Sequence, residues 1–244
     1  MTKRTMPALF ATLLLVAGLA FAQVDDRARE LLEGLVNEAQ FSEITTLDQT
    51  MTMTVYQGGE EIVTTTRMVI DYAGRRAAAV NEVMGMSVTM VYKDGAMTMT
   101  MGGMTMPVPE GMGSVFDGAF EQPGAANILD DPEAVATYDG QVEYGGVLSG
   151  QQVTYTGDFG VPGLGVEATT VHFVFDDGGR LIGQRIPTEG MDMLFVFTGE
   201  PKLAGSAFYD GEMYELSGDT ATLFATIHYD EVKVNEPLDE SLFE

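Results

Sequence analysis

Five methionines stand in the ten residues MTMTMGGMTM, Met97 to Met106, alternating with threonine around Gly102-Gly103. Thioether side chains can do three things at such a density. They can bind Cu(I), because soft sulfur ligands select it. They can line a surface that repacks around variable apolar guests, because the chain is unbranched and polarizable. They can also simply fill a core, each contributing about 1.5–3 kcal/mol on burial. Residue choice weighs against the last. Well-specified cores favour Leu, Ile, Val and Phe over the flexible Met, yet Met51 to Met112 holds twelve of the seventeen methionines.

The other chemistries are poorly represented. Alternate residues of one strand lie about 6–7 Å apart, so a copper set would have to converge across strands. His172 and His228 each fall inside another apolar strand pattern, where a local hydrogen bond is the ordinary role. There is no cysteine, no Gly-rich phosphate loop before a helix, no His-carboxylate metal motif and no Gly-x-Ser-x-Gly elbow. Ser149-Gly150 and Asp176-Asp177 read as turns. The sequence therefore points to no catalytic residue, no metal centre and no cofactor, and to a protein that is not an enzyme.

The elements that must position the methionines follow from turn chemistry. Asp94-Gly95 and Gly102-Gly103 are two-residue hairpin signals. A loop at Gly102-Gly103 pairs Met101 with Met104, Met99 with Met106 and Met97 with Val108. A loop at Asp94-Gly95 pairs Tyr92 with Met97, Met90 with Met99 and Val88 with Met101. Opposed residues share a face, so Val88, Met90, Tyr92, Met97, Met99, Met101, Met104 and Met106 form one apolar surface. Thr89, Thr98, Thr100 and Thr105, with Val91, take the other. Met84 and Met86 extend the apolar surface, and Met51, Met53 and Val55 have the same sidedness.

Around this sheet the chain opens with MTKRTMPALFATLLLVAGLAFAQ. Lys3 and Arg4, the apolar run Ala8–Leu19 and the small-x-small site Ala20–Ala22 predict a signal peptide over 1–22, cut before Gln23. The expected location is the periplasm or extracellular envelope space. Loss of Lys3 and Arg4 takes the formal charge from −25 to −27. Such a surface repels phosphate backbones and anionic headgroups, which excludes nucleic acid as a partner. Residues 23–244 fit one domain, and without cysteine it must be held by packing and sheet hydrogen bonds.

Ala28, Leu31, Leu32, Leu35, Val36 and Ala39 recur at helical spacing behind Asp25 and Asp26, predicting an amphipathic helix over Asp26–Ala39. From Ile44 the period becomes two, and strand patterns follow to Val234, about eleven with thirteen as the upper bound. A Gly-rich stretch over Pro109–Asp139 interrupts them. Met112, Phe116 and Phe120 there have helical spacing among glycines that weaken a helix, which suits a short helical lid. A second short helix is expected to start at Asp131-Pro132. Strands are expected again over Gln141–Val147 and Gln151–Asp158, with a Gly/Pro break from Phe159 to Gly165.

With the signal peptide and the early helix, VMGMSVTMVYKDGAMTMTMGGMTMPVPEG and the closing HYDEVKVNEPLDESLFE resemble the LolA/LolB-like carriers, the outer-membrane lipoprotein-sorting family. The resemblance implies an incomplete antiparallel β-barrel wrapped around the N-terminal helix and a helical lid; the Gly-rich insertion near 111–162 departs from the family's pattern. It also implies an apolar cavity for the acyl chains of a lipoprotein or lipid. The cavity would be lined by Met84, Met86, Val88, Met90, Tyr92, Met97, Met99, Met101, Met104, Met106, Met112, Phe116 and Phe120. Such a carrier is a monomer with membrane-bound donor and acceptor proteins as partners. Two readings stand beside it: a Cu(I)-binding envelope protein, and an envelope sensor or structural module binding a protein in the same groove.

Overall fold

Period-two alternation turns most of this chain into a single antiparallel sheet. The computed structural model describes residues 24–38, 44–83, 85–108, 120, 129, 134–161, 166–188, 190–202 and 208–243. One helix, α1 (Asp26–Glu38), precedes β1 (Thr46–Gln57), β2 (Glu60–Asp71), β3 (Arg76–Val83), β4 (Met86–Lys93), β5 (Ala96–Met101) and β6 (Met104–Pro107). After the Gly-rich stretch come β7 (Val135–Tyr144), β8 (Leu148–Val161), β9 (Val166–Phe175), β10 (Leu181–Thr188), β11 (Met191–Thr198), β12 (Asp210–Ser217) and β13 (Thr220–Val234). A short 3-10 turn, Glu240–Phe243, ends the described chain.

The strand order is β6-β5-β4-β3-β2-β1-β13-β12-β11-β10-β9-β8-β7. Two meanders are thus joined edge to edge through β1 and β13, and the sheet does not close on itself. The fold is the open antiparallel barrel expected, with thirteen strands rather than eleven. Each alternating segment, even the four-residue β6, makes a ladder of its own.

Opposed residues show which side chains share a face. The row Tyr138–Val153–Phe173–Gln184–Phe195–Met213–Ala225–Val55–Ile62 runs across nine strands. Its face, termed inner, carries α1 on the β7–β11 half. There Ala28, Leu31 and Leu32 bury against Ala136, Val153, Tyr155, Phe173 and Ile186. Asp25 caps the helix, its Oδ1 accepting from the Arg27 and Ala28 amides at 2.8 and 3.3 Å. Val24 makes a parallel bridge to Ala136, and the Asp25 amide donates to the Ala136 carbonyl.

The two halves differ in regularity. The ladders joining β2 through β6 run without a register shift. Four ladders of the other half and the β1–β13 seam each carry one. Bulges bend a strand and increase its twist, so the bent half is the one that holds α1 and the regular half is the one that bears the methionine hairpins.

Three sequence expectations change. Val135–Asp139 opens β7 instead of continuing the loop, because Ala136 and Tyr138 alternate inward against Tyr155 and Val153. The β7–β8 turn lies at Gly145–Val147, and Ser149-Gly150 belongs to β8. Gly145 and Gly146 take the positive φ the turn needs, at 56° and 73°. Gly150 instead sits where a Cβ would run into the Phe175 carbonyl oxygen. The expected break after Phe159 also shrinks, since pairing resumes past a bulge with Phe159 opposite Ala168 and Val161 opposite Val166. The expected helices over Met112–Phe120 and after Asp131-Pro132 lie outside the described residues, Phe120 excepted.

Candidate ligand-binding site

The Asp94-Gly95 and Gly102-Gly103 turns both have positive φ at their two central residues, at 54°, 77°, 57° and 80°. These are the conformations a two-residue hairpin with the native strand twist requires, and they set the register. Val88 opposes Met101, Met90 opposes Met99, and Tyr92 opposes Met97. Met99 opposes Met106 and Met101 opposes Met104. The Val108 amide donates to the Met97 carbonyl at 3.2 Å, continuing the pairing beyond β6. Across β3, β2 and β1 the same face continues through Ala77, Ile70 and Leu47, then Ala79, Met68 and Gln49, then Asn81, Thr66 and Met51.

Met86, Val88, Met90, Tyr92, Met97, Met99, Met101, Met104 and Met106 therefore lie together on the inner face, the one that carries α1 further along the sheet. Phe120 joins them, its ring centroid 5.3 Å from that of Tyr92. Met84, Met112 and Phe116 lie outside the described residues. On the outer face Thr89, Thr100 and Thr105 form a hydroxyl row, with 2.9 Å between the last two Oγ1 atoms.

Burial grades along this surface. At one end Met97 and Tyr92 are buried with Phe120, Ile70, Leu47, Ile44 and Ala77. At the other, Met104 is 66 % exposed, Met86 61 % and Met101 41 %. Met90 and Met99 are intermediate. A recess of about 550 Å³ lies at the hairpin ends, bordered among the described residues by Met86, Met101 and Met104, by Gly85, Gly102 and Gly103, and by Ser87, Thr89 and Thr100 of the outer face, so it belongs to the rim of the sheet and not to the inner face alone. The methionines thus share one side of the sheet, and several remain uncovered by protein.

The inner face is apolar around its buried end, while further along Thr66 Oγ1 donates to Asn81 Oδ1 at 2.7 Å on the same face. Burial pushes the phenols of Tyr72 and Tyr229 above their ordinary pKa. Tyr229 opposes Met51 across β13 and β1 and meets the Phe208 ring edge-on at 5.5 Å. Charge pairs concentrate on the outer face instead. Arg67 chelates Asp48, and Arg185 chelates Asp192. Arg76 bridges Asp71 and Glu240.

Among the described residues, the hydroxyl and imidazole nearest each other are not arranged as a nucleophile and an oriented base. Thr154 Oγ1 lies 2.7 Å from His172 Nδ1, but Asp139 accepts from Thr154 at 2.5 Å and does not orient the imidazole. A nucleophile–base pair needs its third group behind the base. Among the described residues no three His, Asp or Glu side chains are grouped to hold a metal ion. A further recess, about 460 Å³, is bordered by Glu143, Gly145, Gly146 and Asp219 and offers an acyl chain no apolar wall.

One residue of the inner face escaped the sequence reading. Gln49 stands between Leu47 and Met51 with Met68 and Val232 opposite, and is only 4 % exposed. Its position in the Leu47-Gln49-Met51-Met53-Val55 alternation was the available signal.

No protein-family model matches the sequence, and no curated protein matches it. Solved structures do match in fold. A DUF1329 family protein from Desulfovibrio piger superposes with a TM-score of 0.51 at 12 % identity, covering 90 % of this chain and 98 % of that one. A LolA superfamily protein from Nitrosomonas europaea superposes with a TM-score of 0.50 at 12 % identity, covering 89 % and 97 %.

Proposed function

From the LolA-like open-barrel fold, we propose that this protein is an exported carrier that holds acyl chains of a lipid or lipoprotein against its methionine face. The observation that carries the reading is the one-sided, partly uncovered row of thioethers continuous with an apolar floor. Burying an acyl chain is worth about 0.8 kcal/mol per methylene, so even a partial groove holds a long chain. Unbranched methionines adapt to chains of different shape without fixing one geometry. The signal-peptide pattern of residues 1–22 supports an envelope location, where membrane-bound proteins would load and unload a monomer. The acidic exterior keeps the loaded form off anionic membranes. Phe120, packed on Tyr92, would close one end of the groove.

Delipidated protein titrated with a fluorescent fatty acid, and separately with a triacylated peptide, is expected to show saturable uptake at micromolar protein. Met99→Leu and Met101→Leu should leave this uptake intact. Met99→Asp should weaken it about tenfold or more, because a carboxylate would be left facing the chain. Absence of saturable uptake of both probes would sink the carrier reading.

The cross-strand row Met90–Met99–Met106 favours one rival. Neighbouring Cβ atoms in such a row lie about 4.5–5.5 Å apart, close enough for three sulfurs to meet one Cu(I). Copper retained against a chelator, and released by the Met99→Leu and Met101→Leu double variant, would establish that reading instead.

A further inference from the structure

The inner-face row through Gln49 reads Gln49–Met68–Ala79–Met90–Met99–Met106, one residue from each of β1 to β6. It begins at a buried amide and ends at a half-open edge methionine. Five interstrand spacings make it about 24 Å long, the length scale of a long acyl chain.

The amide is the anomaly. Gln49 Oε1 has no hydrogen-bond partner among the described residues, although the side chain is almost fully buried. Over nine in ten buried polar atoms in native proteins are satisfied, and leaving one bare is destabilising. Its neighbours are Leu47, Met51, Met68 and Val232, so a methionine here would simply continue the surface. The carbonyl oxygen can only accept. What completes it must bring an N–H or an O–H.

Building on the carrier reading, we propose that Gln49 reads the polar end of the acyl ligand, selecting chains that end in a neutral hydrogen-bond donor. The head donates to Oε1, and the chain runs across the strands over Met68, Met90 and Met99 to the edge at Met106. A carboxylate head cannot donate, and it meets a protein of formal charge −25. Two donor classes fit: the N–H of an N-acyl amide, as at an acylated amino terminus, and the hydroxyl of an acylglycerol.

The test is competition against a bound fluorescent fatty acid by four twelve-carbon ligands: N-methyl lauramide, monolaurin, methyl laurate and laurate. At least one donor ligand should displace the probe at a concentration about fivefold or more below that for methyl laurate, the factor expected from one satisfied buried acceptor. Preference for the amide assigns the ligand to N-acylated chains, and preference for monolaurin assigns it to acylglycerols. Gln49→Met should level donors and ester to within about twofold while raising the melting temperature of the empty protein. Equal displacement by donors and ester in the wild type overturns the proposal, as does a preference that survives Gln49→Met. If neither the probe nor any ligand binds, the carrier reading falls and this inference falls with it.

Discussion

His172 sits on the outer face with its Nδ1 2.7 Å from the Thr154 hydroxyl. Burial first, and then the Arg185 guanidinium, lower its pKa from the ordinary 6.5, against the opposing pull of Asp139 and Asp192. The folded protein thus holds the imidazole neutral more firmly than the unfolded chain does. As the pH falls below about 6.5 the unfolded chain binds the proton first, and stability is lost down through the folded pKa. His172→Gln should flatten this part of the pH dependence, measured as urea midpoints from pH 7 to 5. An unchanged slope would assign the titration to other groups. The sequence placed His172 correctly in an apolar strand with a local hydrogen bond. It did not expose Gln49, because strand parity gives the face of a side chain but not its burial or its missing partner. Those depend on Met68 and Val232, residues distant in the chain.

Among the elements, the C-terminal tail is a clasp on the outer face. Phe243 is 3 % exposed and packs with Val69, Ala78 and partly buried Val91, Leu238 and Leu242. The Arg76 guanidinium lies over its ring at 4.5 Å while holding Asp71 and Glu240. Phe243→Ala should destabilise the protein by about 3 kcal/mol, the usual loss for a buried phenylalanine, read from urea unfolding. Acyl uptake per folded molecule should stay unchanged, since the clasp lies on the face away from the methionines. Altered uptake would show that the two faces are coupled. Helix α1 and the methionine hairpins were legible because each rests on local signals: a cap with apolar spacing, and two-residue turns. The start of β7 was not. Its inward residues, Ala136 and Tyr138, declare themselves only through their partners on β8.

At the scale of the whole molecule, charge and sheet order act together. A formal charge of −25 makes the folded state repel itself. Raising NaCl from about 0.01 M to about 1 M shortens the screening length from about 30 Å to about 3 Å. The melting temperature should therefore rise with salt, and a fall would mean that the outer-face ion pairs outweigh the net repulsion. The joining of the two meanders through β1 and β13 was beyond the sequence, since their pairing brings together residues almost the full chain apart, such as Leu47 and Val234.

Among the described residues the sheet ends at β6 and at β7, whose free side carries only the Val24–Ala136 bridge, and on the carrier reading these margins bear on what can be held. The girth of a closed barrel is fixed by its strand number and stagger. Here the circumference has a gap, and the margins can part or approach through small changes of twist that break no interstrand bond. If the carrier proposal holds, ligands with one tail and with three would differ in how wide the seam stands, and the same thirteen strands would serve for both.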